Sequence, residues 1–200
     1  MGNKKIIIGL VGGVGSGKSS ILEVLEKEYG ARVIQADHTA KKLMEPGEPG
    51  FLAVTKELGT GFLKEDGSID RAALAELIFH SQAARDKVNY LIHPLTWKKI
   101  KQEAVEAREK LVVVETAVMD EKIHDICEEI WYVYTSRENR ITRLMEGRGY
   151  TRGKCEAIMN SQWGKEQFQA VSAREIDNNK SPGEAMDQVR KILKDKGITP

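Results

Sequence analysis

The sequence predicts an α/β fold in which helices flank a parallel sheet. Two observations predict this class: short apolar, β-branched runs recur along the 200 residues, and stretches with helical periodicity lie between them. The runs are apolar at nearly every position, which is typical of strands buried on both faces. The predicted strands cover residues 6–8, 32–34, 111–114 and 130–134, and the clearest helices cover residues 21–29 and 72–79.

Composition narrows the classes of function. The chain carries 31 basic and 30 acidic residues, a net charge of +1, so it has no overall attraction for nucleic acid or an anionic membrane. Its two cysteines, Cys127 and Cys155, lack metal-ligand spacing and are expected to be free thiols. No apolar run approaches the length of a transmembrane helix. We therefore expect a cytoplasmic protein with no nucleic-acid and no membrane partner; its oligomeric state is not readable, although a monomer is plausible.

The first predicted strand leads directly into a glycine-rich segment, residues 12–19, that matches the P-loop pattern Gly-x-x-x-x-Gly-Lys-Ser. Glycines there let backbone N–H groups approach phosphate oxygens, Lys18 would reach the β- and γ-phosphates of ATP, and the Ser19 hydroxyl would hold Mg²⁺. The helix that begins near Gly17 adds the positive end of its dipole. The predicted nucleotide-binding residues are Gly13, Val14, Gly15, Ser16, Gly17, Lys18, Ser19 and Ser20.

The second predicted strand ends close to Asp37, and sites in open α/β sheets form at the carboxyl ends of strands. A carboxylate there could orient a substrate hydroxyl and accept its proton. The alternative is that Asp37 caps a helix beginning at His38. Because the chain lacks the Asn-Lys-x-Asp stretch with which a GTPase reads its base, a small-molecule kinase is the favoured class.

Two segments interrupt the alternation of strands and helices. Residues 37–110 contain no convincing strand and read as helices separated by breaks at 45–50, 66–68 and His93-Pro94. Residues 137–162 are polar and basic, which is typical of a mobile lid or of a solvated helix pair. The prediction is a single domain with a core at about 1–38, 108–136 and 163–200, a helical substrate-binding insertion at about 39–107 and a lid at about 137–162. One lid arginine is expected to close over the transferring phosphoryl group.

Further segments follow the P-loop in a specific order. They are Glu-Pro-Gly at residue 45, Asp-Gly-Ser-Ile-Asp-Arg at 66, His-Pro-Leu at 93, Arg-Leu-Met at 143 and Ile-Asp-Asn-Asn at 176. With these segments the chain resembles the dephospho-CoA kinases over almost its whole length. The resemblance implies a P-loop kinase fold and ATP-dependent phosphorylation of the ribose 3′-hydroxyl of dephospho-coenzyme A. It also implies ATP and Mg²⁺ as cofactors and dephospho-CoA as the small-molecule partner.

The resemblance also implies roles for individual residues. Asp37 would act as the base for the ribose hydroxyl, and Lys18 with a lid arginine, Arg143 or Arg148, would stabilise the transition state. Asp177 and Asn178 would lie near the adenine of ATP. The other candidates for substrate binding are Lys41, Arg71, His93, Glu115 and Lys165.

Several of these candidates have alternative interpretations. Arg71 could pair with Asp70 or Glu76 on an exposed helix, and His93, which precedes a proline, could be a hydrogen-bonded structural histidine. Glu115 closes an apolar strand and could instead orient a water on Mg²⁺ or a catalytic group.

The chain departs from the family's usual residues mainly on the substrate side. It has Val11 for Thr, Gln35 for Asp, Lys41 and Lys165 for Arg, Gly147 for Arg, and a different run from Thr116 to Val118. Lysine keeps the charge of arginine but loses its planar fork. Two alternatives therefore stay open: a P-loop kinase for another nucleoside or nucleotide-like acceptor, and an ATP-binding regulatory protein without transfer activity.

Overall fold

The computed structural model describes residues 5–117 and 120–200. The chain forms two compact units, one of residues up to 34 and from 106 onwards, and the other of residues 35–105. Val118, one of the positions at which the chain departs from the family pattern, lies outside the described residues, as do residues 1–4 of the predicted core.

A five-stranded sheet organises the first unit. Its strands are β1 (Ile6–Val11), β2 (Arg32–Gln35), β3 (Leu111–Thr116), β4 (Glu129–Tyr134) and β5 (Arg174–Asp177), in the order β2-β3-β1-β4-β5. β1 pairs in parallel with β3 and with β4, and β4 pairs in parallel with β5. The four predicted strands are confirmed, and β5 is a strand that the sequence pattern did not predict.

Helices precede, follow and connect these strands. They are α1 (Lys18–Tyr29), α2 (Ala36–Leu43), α3 (Pro49–Leu58), α4 (Arg71–His80), α5 (Gln82–Glu106), α6 (Arg137–Arg148), α7 (Arg152–Asn160), α8 (Lys165–Val171) and α9 (Pro182–Asp195), with a 3₁₀ helix at Glu121–Asp125. Within the two described stretches of chain, no helix combines the length and the apolar character needed to cross a membrane.

The core of the first unit lies between the sheet and two helices. Alternate residues of the central strands, such as Ile8 and Leu10 in β1, point to one face and pack against buried side chains of α1 and α9. Trp131 in β4 is fully buried in this cluster. The sheet is therefore packed against α1 and α9, and the carboxyl ends of its paired parallel strands lie at the same end of the sheet.

Both cysteines are free thiols, as predicted, and both are buried. Burial raises the pKa of the Cys127 thiol to about 12. The protonated form therefore dominates at neutral pH, and this thiol is a poor nucleophile.

The second unit has its own apolar core. Val54 in α3, Leu74 in α4 and Ile92 in α5 are buried together with Phe62. Asp70 begins α4 as its N-cap, because its carboxylate accepts hydrogen bonds from the backbone N–H groups of two residues in the first turn.

Helix α5 corrects one prediction about this unit, since His93-Pro94 is not a break. The helix runs for 25 residues with Pro94 in its interior. Proline removes a backbone donor and costs an interior helix about 3 kcal/mol. Burial on both sides of the proline offsets this cost, because Ile92 packs in the core of the unit and Trp97 and Ile100 are also buried.

Candidate functional site

The P-loop segment, residues 12–19, connects the carboxyl end of β1 to the first turn of α1. Gly15 and Gly17 have φ values of 78° and 89°, in the left-handed region that favours glycine. At Gly17 the space is also closed, since a Cβ atom there would lie 2.2 Å from the side-chain nitrogen of Asn178. The conformation of this turn therefore requires glycine at both positions.

Lys18 is the first residue of α1, and 9% of its side chain is exposed. Its Nζ donates a hydrogen bond to the Gly12 carbonyl at 2.5 Å and lies 3.3 Å from Oε1 of Glu115 in β3. Because 12% of the Glu115 side chain is exposed, the two residues form a largely buried ion pair. The structure thus brings two predicted site residues together, and it gives Glu115 a contact with Lys18 that the sequence did not predict.

The start of α1 has the features of an anion site. Its N-cap, Gly17, has no side chain to accept hydrogen bonds from the N–H groups of the first turn. Such N–H groups, together with the positive end of the helix dipole, bind phosphate in other proteins. The hydroxyls of Ser19 and Ser20 lie on exposed residues of this turn. The Ser16 hydroxyl is buried and has no hydrogen-bond partner among the described residues, so a ligand atom could satisfy it.

The residues that end β5 tie the P-loop to α6. Asn178 is buried, and its Nδ2 donates to the Ser16 carbonyl at 2.8 Å. The Asn178 carbonyl accepts a hydrogen bond from Nη2 of Arg143 at 2.8 Å. The Asp177 carboxylate accepts a hydrogen bond from the backbone N–H of Asn179 at 2.9 Å and shapes the turn. A cavity of about 140 Å³ lies here and is lined by Gly17, Ser20, Arg143, Asn178 and Met186.

The two arginines predicted to act from the lid lie in different environments. Arg143 is half-buried and lines the cavity beside the P-loop. Arg148 is the exposed last residue of α6 and is not among the residues that line this cavity. The structure therefore favours Arg143 over Arg148 as the arginine that accompanies the P-loop.

Two further residues contact the P-loop, and neither is among the site residues predicted from the sequence. Nε of Arg140 donates to the Val14 carbonyl at 2.8 Å, and Oε1 of Gln162 accepts a hydrogen bond from the Val14 N–H at 3.0 Å. Burial lowers the pKa of the Arg140 guanidinium from its ordinary value. The one signal in the sequence is spacing, because Arg140 precedes Arg143 by three residues and shares its helix face.

Lys165 begins α8 in the first unit. Its Nζ lies 4.1 Å from the ring centroid of Tyr134, which is a cation–π contact. The lysine charge is therefore held at the carboxyl end of β4, on the same unit as the P-loop.

In the second unit, Asp37 lies in the first turn of α2 and is exposed. The helix begins at Ala36 with Gln35 as its N-cap, so the alternative in which Asp37 caps a helix starting at His38 is wrong. β2 ends at Gln35, whose backbone is still extended, and the backbone becomes helical at the next residue, Ala36. Within the described residues the Asp37 carboxylate has no hydrogen-bond or ion-pair partner, so it remains available to a substrate.

An apolar cavity of about 310 Å³ lies within the second unit. Most of its lining is aliphatic, including Met44, Leu74 and Ile92, and the charged residues that line it are Lys41 and Arg71. Lys41 follows Asp37 by four residues on α2, so the two side chains share one face of that helix. A cavity of this kind can hold an apolar group that carries an anion at its mouth.

Arg71 and His93 differ in their relation to this cavity. Arg71 is the exposed first residue of α4, and within the described residues it forms no ion pair with Asp70 or Glu76. The alternative reading of Arg71 as one half of such a pair is therefore not supported. His93 is exposed on α5, outside the cavity lining, and its ring packs edge-on against Trp97 with centroids 6.3 Å apart.

Comparison with known proteins gives relatives for nearly the whole chain. The family model described as dephospho-CoA kinase matches residues 6–184. A dephospho-CoA kinase from Geobacter sulfurreducens is 33% identical over 190 residues, which cover 93% of this chain and 96% of the relative. One from Carboxydothermus hydrogenoformans is 32% identical over 191 residues, which cover 94% of this chain and 92% of the relative.

Solved structures share the fold at lower sequence identity. A protein from Thermus thermophilus superposes with a TM-score of 0.78 at 24% identity, covering 96% of this chain and 98% of its own. A dephospho-CoA kinase from Campylobacter jejuni superposes with a TM-score of 0.70 at 21% identity, covering 95% and 98%. A shikimate kinase from Acinetobacter baumannii superposes with a TM-score of 0.54 at 15% identity, covering 97% and 96%. The predicted P-loop kinase fold is confirmed.

Proposed function

The chain belongs to the dephospho-CoA kinase family, and on that premise we propose that it transfers the γ-phosphoryl group of ATP to the ribose 3′-hydroxyl of dephospho-CoA. The products are CoA and ADP. The observation that carries the proposal is the match of residues 6–184 to that family. The geometry of each unit supports one half of the reaction.

The first unit supports the donor half. We assign the phosphates of ATP to the turn that runs from Gly15 to Ser20, with positive charge from Lys18 and Arg143. The adenine is assigned to the side of Asp177 and Asn178. The Oδ1 atom of Asn178 is buried and has no hydrogen-bond partner among the described residues, so it suits the exocyclic amine of adenine.

Mg²⁺ is assigned to the Ser19 hydroxyl. Among the described residues, no group of three or more His, Cys, Asp or Glu could hold a metal ion by itself. This fits Mg²⁺, which commonly takes few protein ligands and completes its shell with substrate phosphates and waters. When bound, Mg²⁺ would neutralise charge on the β- and γ-phosphate oxygens.

The second unit supports the acceptor half. Asp37, Lys41 and Met44 follow one another along α2 and its C-cap at spacings of four and three residues, so they lie on one face. This stripe leads from a carboxylate to a cation and then into the apolar cavity, to which Arg71 adds a second cation. Dephospho-CoA presents a matching succession of ribose hydroxyl, diphosphate and the dimethyl carbon of the pantetheine arm. We therefore assign the diphosphate to Lys41 and Arg71 and the dimethyl carbon to the cavity.

The chemistry follows from these assignments. The 3′-oxygen of the ribose attacks the γ-phosphorus of ATP, and the bond from that phosphorus to the bridging oxygen breaks to release ADP. Asp37 accepts the proton that the hydroxyl loses. Lys18 and Arg143 offset the negative charge on the phosphoryl oxygens in the transition state.

The test is a coupled assay of ADP release by the purified protein with ATP, Mg²⁺ and dephospho-CoA. We expect turnover that depends on dephospho-CoA and exceeds the background with ATP alone, with CoA as the second product. A panel of nucleosides and nucleotides tests the alternative acceptors, and transfer to one of these but not to dephospho-CoA would contradict the proposal. ATP binding without transfer to any acceptor would instead indicate a regulatory protein.

Lys41→Met and Arg71→Met are each expected to raise the KM for dephospho-CoA about tenfold, the ratio that corresponds to one charge-assisted hydrogen bond. The KM for ATP should not change, because both side chains belong to the acceptor assignment. Lys41→Arg keeps the charge and should keep the KM close to that of the wild type. Steady-state kinetics with each substrate varied in turn measures these effects.

Lys42→Met is the matched control for Lys41→Met. Lys42 is the next residue on α2 and is also exposed, but it does not line the apolar cavity. An equal rise of the acceptor KM in the Lys42 variant would mean that net charge, and not contact with the acceptor, causes the effect.

A further inference from the structure

Val14, in the middle of the P-loop, is held at three points by the segment that contains α6 and α7. Its side chain packs against the apolar cluster that Ile141, Leu144, Cys155 and Met159 form between those helices. Its N–H donates to Oε1 of Gln162 at 3.0 Å, and its carbonyl accepts from Nε of Arg140 at 2.8 Å. Both backbone polar groups of this residue are therefore engaged with residues outside the P-loop.

The two side chains that hold Val14 also bind each other. Nη2 of Arg140 donates to Oε1 of Gln162 at 3.0 Å, so the amide oxygen accepts hydrogen bonds from both Arg140 and Val14. This closed set of three hydrogen bonds is called the Val14 clamp below. The Arg140 guanidinium also covers Gly13, because a Cβ atom built there would lie 2.2 Å from Nη2.

The clamp acts on a segment that is costly to order. Four of the six residues 12–17 are glycine, and glycine loses more backbone entropy on ordering than any other residue. If the loop were mobile before the nucleotide arrived, nucleotide binding would have to supply this cost. A clamp that fixes Val14 before the nucleotide arrives removes part of this entropic cost.

We propose that Arg140 and Gln162 are positioning residues that preset the P-loop for ATP by clamping the backbone of Val14. The inference rests on the proposed use of ATP. Arg140 acts through Val14, and two nitrogens of its planar guanidinium, Nε and Nη2, reach different acceptors. A lysine keeps the charge but lacks the rigid planar fork that aims two donors at these two acceptors.

The test compares Arg140→Met, Gln162→Met and the double variant. Each single variant should weaken ATP binding about tenfold, measured by calorimetry as Kd and by kinetics as KM, with kcat at saturating ATP and the KM for the acceptor unchanged. The ATP affinity of the double variant should equal that of whichever single variant binds ATP more weakly, because both substitutions open the same clamp. Arg140→Lys should recover part of the ATP affinity.

Arg137→Met is the matched control. Arg137 lies on the same helix, and its Nη2 donates to Oδ1 of Asn160 in α7 at 3.1 Å, but this contact is exposed and includes no residue of the P-loop. The ATP affinity of this variant should equal that of the wild type. If Arg140→Met or Gln162→Met lost thermal stability without any change in ATP affinity, the clamp would be structural only and the proposal would be overturned.

Amide hydrogen exchange tests the clamp without any nucleotide or acceptor. Residues 12–17 should exchange about tenfold faster in Arg140→Met and Gln162→Met than in the wild type or Arg137→Met. Unchanged exchange would overturn the inference even if the protein proves to be an active kinase. Faster exchange together with failure of dephospho-CoA as acceptor would support the clamp and reject only the proposed acceptor. A fall in kcat with unchanged ATP affinity would make Arg140 a catalytic residue and also overturn the proposal.

Discussion

Asp37→Asn is expected to lower kcat for dephospho-CoA by about 10²-fold or more, the scale of a positioned general base. The amide matches the carboxylate in size and can still accept a hydrogen bond, but it cannot take the proton of the ribose hydroxyl. The KM for ATP should stay unchanged, since the donor is assigned to the first unit. Asp37 is exposed, so the substitution leaves no buried group unpaired and the thermal unfolding midpoint should change little. Steady-state release of ADP and a thermal melt measure both quantities.

Glu57→Gln provides the control for Asp37→Asn. Glu57 is another carboxylate of the second unit, and its ion pair with Lys87, at 3.7 Å, lies on the surface, where such pairs contribute little. Its kcat should match that of the wild type. An Asp37→Asn variant that turns over at nearly the wild-type rate would remove Asp37 from the chemistry and leave it a first-turn acid that favours the helix dipole.

The strands show why part of the fold could be predicted and part could not. β1, β3 and β4 are central and buried on both faces, so their apolar runs stand out in the sequence. β5 lies at the edge of the sheet, and only Ile176 of its four residues is buried. The other three are Arg174, Glu175 and Asp177, and none of them belongs to the β-branched or aromatic types that are enriched in strands. Residues 174–177 form a strand because they pair with β4, and no local sequence pattern indicates that pairing.

Pro94 shows the same limit for helices. Local rules predict a break at a proline because it removes one hydrogen bond and clashes with the preceding turn. The buried residues on both sides of Pro94 belong to the interior of the protein, and their packing outweighs the local cost. Tertiary burial of this kind cannot be read from the residues next to the proline.

The residues of the candidate site also differ in how well the sequence predicts them. The phosphate-binding residues of the P-loop are contiguous, so one short motif predicts them and their chemistry. The Val14 clamp joins residues that are 126 and 148 positions apart in the chain, which no spacing rule connects. The ion pair of Lys18 with Glu115 likewise depends on the register of β1 against β3. The sequence therefore predicts what the site binds better than how the site is held in place.

Lys18→Met is expected to lower kcat by about 10²- to 10³-fold, the loss seen when one preorganised charge donor is removed from a transition state. It should also lower the free energy of unfolding by about 3 kcal/mol or more, because removing one partner of a largely buried ion pair leaves the other charge without compensation. The side chains of Lys18 and Glu115 are 9% and 12% exposed, so this cost applies here. A loss of activity in this variant alone could therefore result from unfolding.

The double variant Lys18→Met/Glu115→Gln separates the two effects. Glutamine removes the uncompensated charge, so the free energy of unfolding, measured by urea titration, should return most of the way to that of the wild type. The activity should stay at the level of Lys18→Met, because the ammonium group is still missing from the transition state. Glu115→Gln alone keeps the ammonium group of Lys18 and should lose far less activity than Lys18→Met or the double variant. If the double variant regained turnover together with stability, Lys18 would support the fold through Glu115 and would have no direct role in phosphoryl transfer.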